Sequence, residues 1–159
     1  MEISVSILDN DPMFLGLLKE VLDKHFKVNA TSDTNELMSK IVMPAIVVID
    51  WYLDYGITGL DVMRKIRDKH PLCHFIFIST IASVDVLLSV INEGWGCYFL
   101  IKNKSNFFDE LITNITNAKQ LLNSKMTAAS AQVNKNELLQ DRIIKTLKVL
   151  EESSNGRSY

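Results

Sequence analysis

Short, almost wholly apolar runs alternate along this chain with longer stretches in which apolar residues recur every three or four positions. The first run, residues 3–8, predicts a strand, and residues 12–25 predict a helix with Phe14, Leu15, Leu18, Val21 and Leu22 on one face. Asp11 ahead of Pro12 is a helix start, because proline suits the first helical position. Residues 26–30 predict a weak second strand and 32–43 a short helix that Pro44 ends. Residues 45–50 are apolar and β-branched up to the closing Asp50, the pattern of a central strand covered on both faces. A helix is predicted over 60–70, closed by Pro71, then a strand over 75–79, a helix over 84–93, a strand over 97–101 and a helix over 105–122 with Ser105 as its N-cap. Five strand-helix alternations predict an α/β fold, a (βα)5 doubly wound sheet of five parallel strands.

The pattern then changes. Residues 1–122 read as one domain, 123–134 (SKMTAASAQVN within them) as a small, polar linker, and 135–152 as an amphipathic helix striped by Leu139, Ile143, Leu147 and Leu150. A lone helix of that length cannot bury its stripe by itself, so it packs back on the domain, pairs with another chain or frays. Residues 153–159 read as a disordered tail.

Composition narrows the function. At 159 residues the chain accommodates one domain and an appendage. Its 17 Lys and Arg against 19 Asp and Glu leave −2, without the basic excess of a nucleic-acid module, so direct nucleic-acid binding is not expected. No apolar run approaches the ~20 residues of a membrane span, and the N-terminus lacks a secretory pattern. Cys73 and Cys97, without a Cys-x-x-Cys spacing, read as small apolar residues in a reducing, cytoplasmic compartment.

In a doubly wound sheet, ligands lie beyond the carboxyl ends of the strands. Those ends carry Asp9-Asn10-Asp11, Asp50, Ser79-Thr80 and Lys102. Carboxylates, a hydroxyl and one lysine converging there describe a pocket for a hard cation and a phosphoryl group, with a carboxylate available as nucleophile.

On these residues the chain resembles the receiver domain of two-component response regulators, the CheY-like branch of the flavodoxin-like folds. The resemblance covers roughly 1–122 and rests on LDNDP after the first strand, VVIDWYL, the helix lead-in GLDVMRKIR, FIST and FLIKN, in that order. The spacing between these motifs places Thr80 rather than Ser79 at the hydroxyl position. The segment Lys-Asn-Lys-Ser before Phe-Phe-Asp-Glu-Leu resembles receivers of the LuxR/NarL-type subgroup, although the remainder is too short for a helix-turn-helix output domain.

The resemblance implies that Asp50 is the phosphoacceptor, that Asp9, Asp50, the Tyr52 carbonyl and Asn10 hold Mg2+, that Thr80 and Lys102 contact the phosphoryl group, and that Phe99 is the switch aromatic. It implies no metabolic activity, at most phosphorylation and dephosphorylation of Asp50 itself. Partners implied are a histidine kinase or phosphotransfer protein and a downstream protein, with the C-terminal helix a candidate for joining two chains. Two departures stand out: Asn10 is where the family usually has a second acid, which weakens Mg2+ binding, and Asn103 replaces the proline that commonly follows the lysine.

Plainer readings stand beside these. Asn10 also suits a turn, Phe99 a core position, and His25, His70 and His74 the surface. Trp51, Tyr55 and Trp95 flank the pocket as either a recognition surface or loop packing. Two alternative functions follow: a degenerate pseudo-receiver acting as a constitutive interaction module, and a haloacid-dehalogenase-type phosphatase with Asp9 as nucleophile.

Overall fold

A computed structural model of the chain describes residues 2–94 and 96–155, without the side chains of 134–139, 141–142 and 145–155. Trp95 and the last four residues of the expected tail lie outside the described residues. The elements run β1 (Ser4–Leu8), α1 (Pro12–Leu22), β2 (Val28–Thr31), α2 (Thr34–Lys40), β3 (Ala45–Asp50), a 3-10 turn (Asp54–Gly56), α3 (Gly59–Lys69), β4 (Cys73–Ser79), α4 (Val84–Asn92), β5 (Cys97–Ile101) and α5 (Phe107–Asn155). The strands form one parallel sheet in the order β2-β1-β3-β4-β5. The chain therefore leaves β1 toward one edge and returns beside it as β3, which opens a crevice at the carboxyl ends of those two strands.

The apolar runs build two layers because alternate side chains of a strand point to opposite faces. One layer packs Val5, Ile7, Val48 and Ile76 against Leu18 and Leu22 of α1 and against Phe107, Leu111 and Ile115 of α5. The other packs Leu8, Val47, Ile49, Phe75 and Phe77 against Leu37 of α2, Met63 and Ile66 of α3, and Val86 and Val90 of α4. All of β3 and β4 is buried, as expected of strands covered on both sides.

Helix starts follow local chemistry. The Asp11 side chain accepts the backbone N–H groups of Met13 and Phe14, Asp33 accepts that of Glu36, and Ser83 that of Val86. Thr58 and Asp61 form a reciprocal capping box at α3.

The residues divide into two compact units between Leu122 and Asn123, and each is described by itself. In the second unit, 123–134 is helical where a linker was expected. Residues 124–134 contain no glycine or proline and several good helix formers, so polarity alone was a poor breaker. Helix also continues through 153–155, part of the expected tail. Val133, Ile143 and Ile144 are exposed in this unit.

Other expectations move too. The second strand shifts to Val28–Thr31, and the second helix ends at Lys40 rather than 43. The fifth helix starts at Phe107, where the Asn106 carbonyl accepts the Glu110 N–H, so Ser105 precedes its cap. His74 is buried in β4 and stacks on Tyr98 at 5.2 Å, not on the surface. An imidazole supplies a flat ring for that stacking, which the polarity of histidine conceals in a linear reading.

Gly59 is the most closely approached of the glycines described. A Cβ there would lie 2.6 Å from the Asp50 carbonyl oxygen and 2.9 Å from Ile49 Cγ2, while the Gly59 N–H donates to the Trp51 carbonyl at 2.8 Å. Gly59→Ala is expected to cost about 1–3 kcal/mol in urea unfolding, because backbone cannot yield as a flexible side chain can. A cost no larger than that of Gly16→Ala, where a Cβ meets nothing within 4 Å, would contradict this account.

Candidate functional site

Parallel register brings the carboxylates together. Leu8 pairs with Ile49, so Asp9 and Asp50 follow side by side at the ends of β1 and β3. Lys102 comes from two strands away and is held at its backbone, where its N–H donates to the Ser79 carbonyl at 2.8 Å. The neighbouring carbonyl of β4, that of Ile78, accepts the Trp51 N–H at 2.8 Å, so one strand end anchors both sides of the site.

The lysine closes the constellation. Its Nζ lies 2.7 Å from Asp9 Oδ2 and 3.1 Å from Asp50 Oδ1. Asp9 is fully buried, and its other oxygen accepts the Asp11 N–H at 2.9 Å. Asp50 keeps 7% of its surface accessible, making it the carboxylate that an incoming group can reach. Two carboxylates share one ammonium, leaving a formal charge of −1 among these three groups. Burial, and then the Asp9 charge, push the Asp50 carboxyl above its usual range, while Lys102 opposes the shift.

Phe14 of α1 also contributes, although its periodicity marked it only as core. The Lys102 ammonium sits 4.6 Å from the centre of its ring, and Phe14 in turn packs against Phe107 and Phe108. An aromatic face is a favourable floor for a partly desolvated cation. Nothing in linear spacing links Phe14 to Lys102.

The remaining candidates are placed as follows. Thr80 is exposed just beyond β4, whereas Ser79 is buried and its hydroxyl accepts the Ile81 N–H. Tyr52 pairs with Thr58 in a bridge whose hydrogen bonds use the Trp51 and Ile57 carbonyls, not the Tyr52 carbonyl. Asn10 donates its amide to Asp54 Oδ1 at 3.0 Å. Phe99 is partly buried and meets Trp51 edge-on at 6.1 Å, and Trp51 meets Phe77 at 5.4 Å. Trp51 is thus a core residue at 5% exposure, because its indole turns into the layer below α4; Tyr55 is exposed at 98%.

The donor chemistry suits a small hard cation of the Mg2+ kind, which binds through one or two carboxylates and completes its shell with water and phosphoryl oxygens. It does not describe an all-protein cage. Among the described residues no group of three or more His, Cys, Asp or Glu side chains is placed to hold a metal ion.

The fold has counterparts among solved structures. The chain aligns with a CheY-like response regulator receiver domain protein from Methanospirillum hungatei JF-1 (TM-score 0.67, 16% identity, 79% of this chain and 99% of that one). A response regulator receiver domain protein from Clostridium thermocellum aligns with TM-score 0.63 and 18% identity over 78% of this chain and 97% of that one. The beryllofluoride-activated NtrC4 receiver domain dimer gives 0.65 and 21% over 75% and 98%. The fold is that of the response-regulator receiver domains. No protein-family model matches the sequence, and neither does any curated protein.

Because Asp50 titrates above its unfolded value, its ionisation opposes folding. The penalty is full at pH above its raised folded value, shrinks as pH falls through that value, and vanishes below the unfolded value. Asp50→Asn is therefore expected to raise the melting temperature by a few degrees at pH 7, with the gain disappearing toward pH 3 (about one unit below ordinary aspartate). Melting curves across that range check it, and a variant less stable than the parent at pH 7 would refute the electrostatic account.

Proposed function

We propose that the chain is a response-regulator receiver, a signalling switch that accepts a phosphoryl group on Asp50 from a histidine kinase or phosphotransfer protein. The observation that carries this reading is Lys102, which bridges the two strand-end carboxylates. In the transfer, an Asp50 carboxylate oxygen bonds to phosphorus as the phosphorus–nitrogen bond of a donor phosphohistidine breaks. The bonding pair stays on the imidazole nitrogen, which takes up a proton.

Each residue has a task in that step. Asp50 is the accessible nucleophile, and burial followed by the Asp9 charge makes its carboxylate more basic than an ordinary one. Lys102 exchanges its Asp50 contact for a phosphoryl oxygen, and the Thr80 hydroxyl contacts another. Asp9, Asp50 and the Tyr52 carbonyl, with the Asn10 amide oxygen, would hold Mg2+, which when bound offsets the charge of the phosphoryl oxygens. Phe99 reports the change through its contact with Trp51, the residue after Asp50.

Asp9 is a poor nucleophile by comparison. It is fully buried and each of its oxygens already accepts a hydrogen bond, which argues against the phosphatase reading. Asn10 favours the second reading, a constitutive interaction module, because an uncharged amide there gives a cation less charge than an acid would. The domain limits of 1–122 for the receiver and 135–152 for an interaction helix belong to the same proposal. Signalling then runs through protein contacts, including pairing of two chains through the C-terminal helix.

A cytoplasmic setting suits two free thiols, that of Cys73 pushed up to about 12 by burial and so kept protonated. No helix among the described residues is long and apolar enough to cross a membrane.

Incubation with Mg2+ and acetyl phosphate is expected to add one phosphoryl mass to the protein, with none added to Asp50→Asn. Intact-mass measurement reads the result, and an unmodified wild-type chain supports the interaction-module reading instead. Truncation after residue 123 is expected to convert a dimer to a monomer by light scattering; an unchanged assembly state removes the helix from the interface.

A further inference from the structure

A side-chain hydrogen bond joins the β1–α1 and β3–α3 loops, from Asn10 Nδ2 to Asp54 Oδ1 at 3.0 Å. The first loop begins at Asp9 and the second follows Asp50 and contains Tyr52, so the contact joins the two arms of the pocket. The second arm needs a tie. It turns through Tyr55 and Gly56 with φ of 61° and 72°, and Tyr55 is exposed at 98%, so the tip has little burial to hold it. A left-handed non-glycine residue costs of order 1 kcal/mol and persists only where its surroundings impose it. The bridge hydrogen bonds at the base, from the Leu53 N–H to the Ile57 carbonyl at 3.0 Å and from the Gly59 N–H to the Trp51 carbonyl at 2.8 Å, close the loop upon itself. Among the hydrogen bonds described, Asn10 to Asp54 is the one that fastens it to the β1–α1 loop.

We propose that Asn10 and Asp54 act as one unit, an amide-carboxylate clasp that positions the β3–α3 loop beside the phosphoryl and cation pocket. Asp54 is a positioning residue that acts through Asn10, and for its bearing on Mg2+ this inference rests on the receiver reading. The clasp also gives Asn10 a chemical reason. A carboxylate at position 10 facing the one at 54 would repel it, whereas an amide donates to it. The pair is complementary, so amide and carboxylate are exchangeable: in Asn10→Asp/Asp54→Asn the amide would donate in the opposite direction.

Two measurements on the full-length chain test the clasp. The first is amide hydrogen exchange of Leu53 and Gly59 without metal, with Val48 in β3 as internal control. Asn10→Asp and Asp54→Ala are expected to exchange about two- to fivefold faster at those amides, the range for an exposed charged contact. The exchanged double variant is expected to return to within about twofold of wild type. Unchanged single variants, or a double variant as fast as the singles, would overturn the proposal.

The second measurement separates position from charge by titrating Mg2+ against the fluorescence of Trp51, next to Asp50. Asp54→Asn keeps an oxygen for the Asn10 amide but loses the charge, so it is expected to bind Mg2+ within about twofold of wild type, while Asp54→Ala weakens binding by more. Equal weakening in both variants would assign the effect to charge and overturn a positioning role. A wild-type chain that binds no Mg2+ while the exchange pattern closes would remove the cation reading and leave the clasp standing.

Discussion

The fold converges on one ammonium placed between two carboxylates. Asp9 and Asp50 are adjacent because β1 and β3 pair in parallel, and two like charges at neighbouring strand ends would repel one another without compensation. Lys102 supplies it, at 2.7 and 3.1 Å, from a strand that does not touch either of theirs. Such a contact is demanding. The long lysine side chain must cross the end of β4, its backbone must be fixed, and its charged head must be partly desolvated. The Ser79 carbonyl fixes the backbone, and the Phe14 ring, itself packed in the apolar layer of α1 and α5, receives the charged head.

Burial and charge then divide the work between the two acids. Asp9 is enclosed, with one hydrogen bond to each carboxylate oxygen; Asp50 is slightly open, and burial and then the Asp9 charge push its carboxyl above the usual range. The peptide after Asp50 carries Trp51, whose ring touches both Phe77 and Phe99. A rearrangement at the carboxylate thus has an aromatic neighbour in β5 to act upon, through contacts rather than through an inferred pathway.

The architecture was legible because it depends on local pattern. Five apolar runs, Pro12, Pro44 and Pro71, and the acids and lysine at strand ends were enough to expect five parallel strands and a pocket at their carboxyl ends. Residues 123–134 lack apolar periodicity and are nonetheless helical, as a continuation of α5 without glycine or proline over 124–134. His74 and Trp51 were misplaced for another reason: an aromatic ring with a polar atom is ambiguous until its neighbours are known, and Tyr98, Phe77 and Phe99 decide the matter.

What linear reading could not reach are contacts between distant positions with no periodic signature. Phe14 beneath Lys102 and Asp54 against Asn10 are of this kind, and both alter the meaning of a motif residue. Asn10 read alone is a weakened metal ligand. Facing Asp54, it is a donor whose replacement by an acid would set two carboxylates against each other before any cation arrived. Gly59 makes the same point sterically, since its place in a helix lead-in discloses nothing of the 2.6 Å that separates a hypothetical Cβ from the Asp50 carbonyl. Restoring an acid at position 10 is therefore a change to two loops at once, and its effect on the cation depends on what stands at 54.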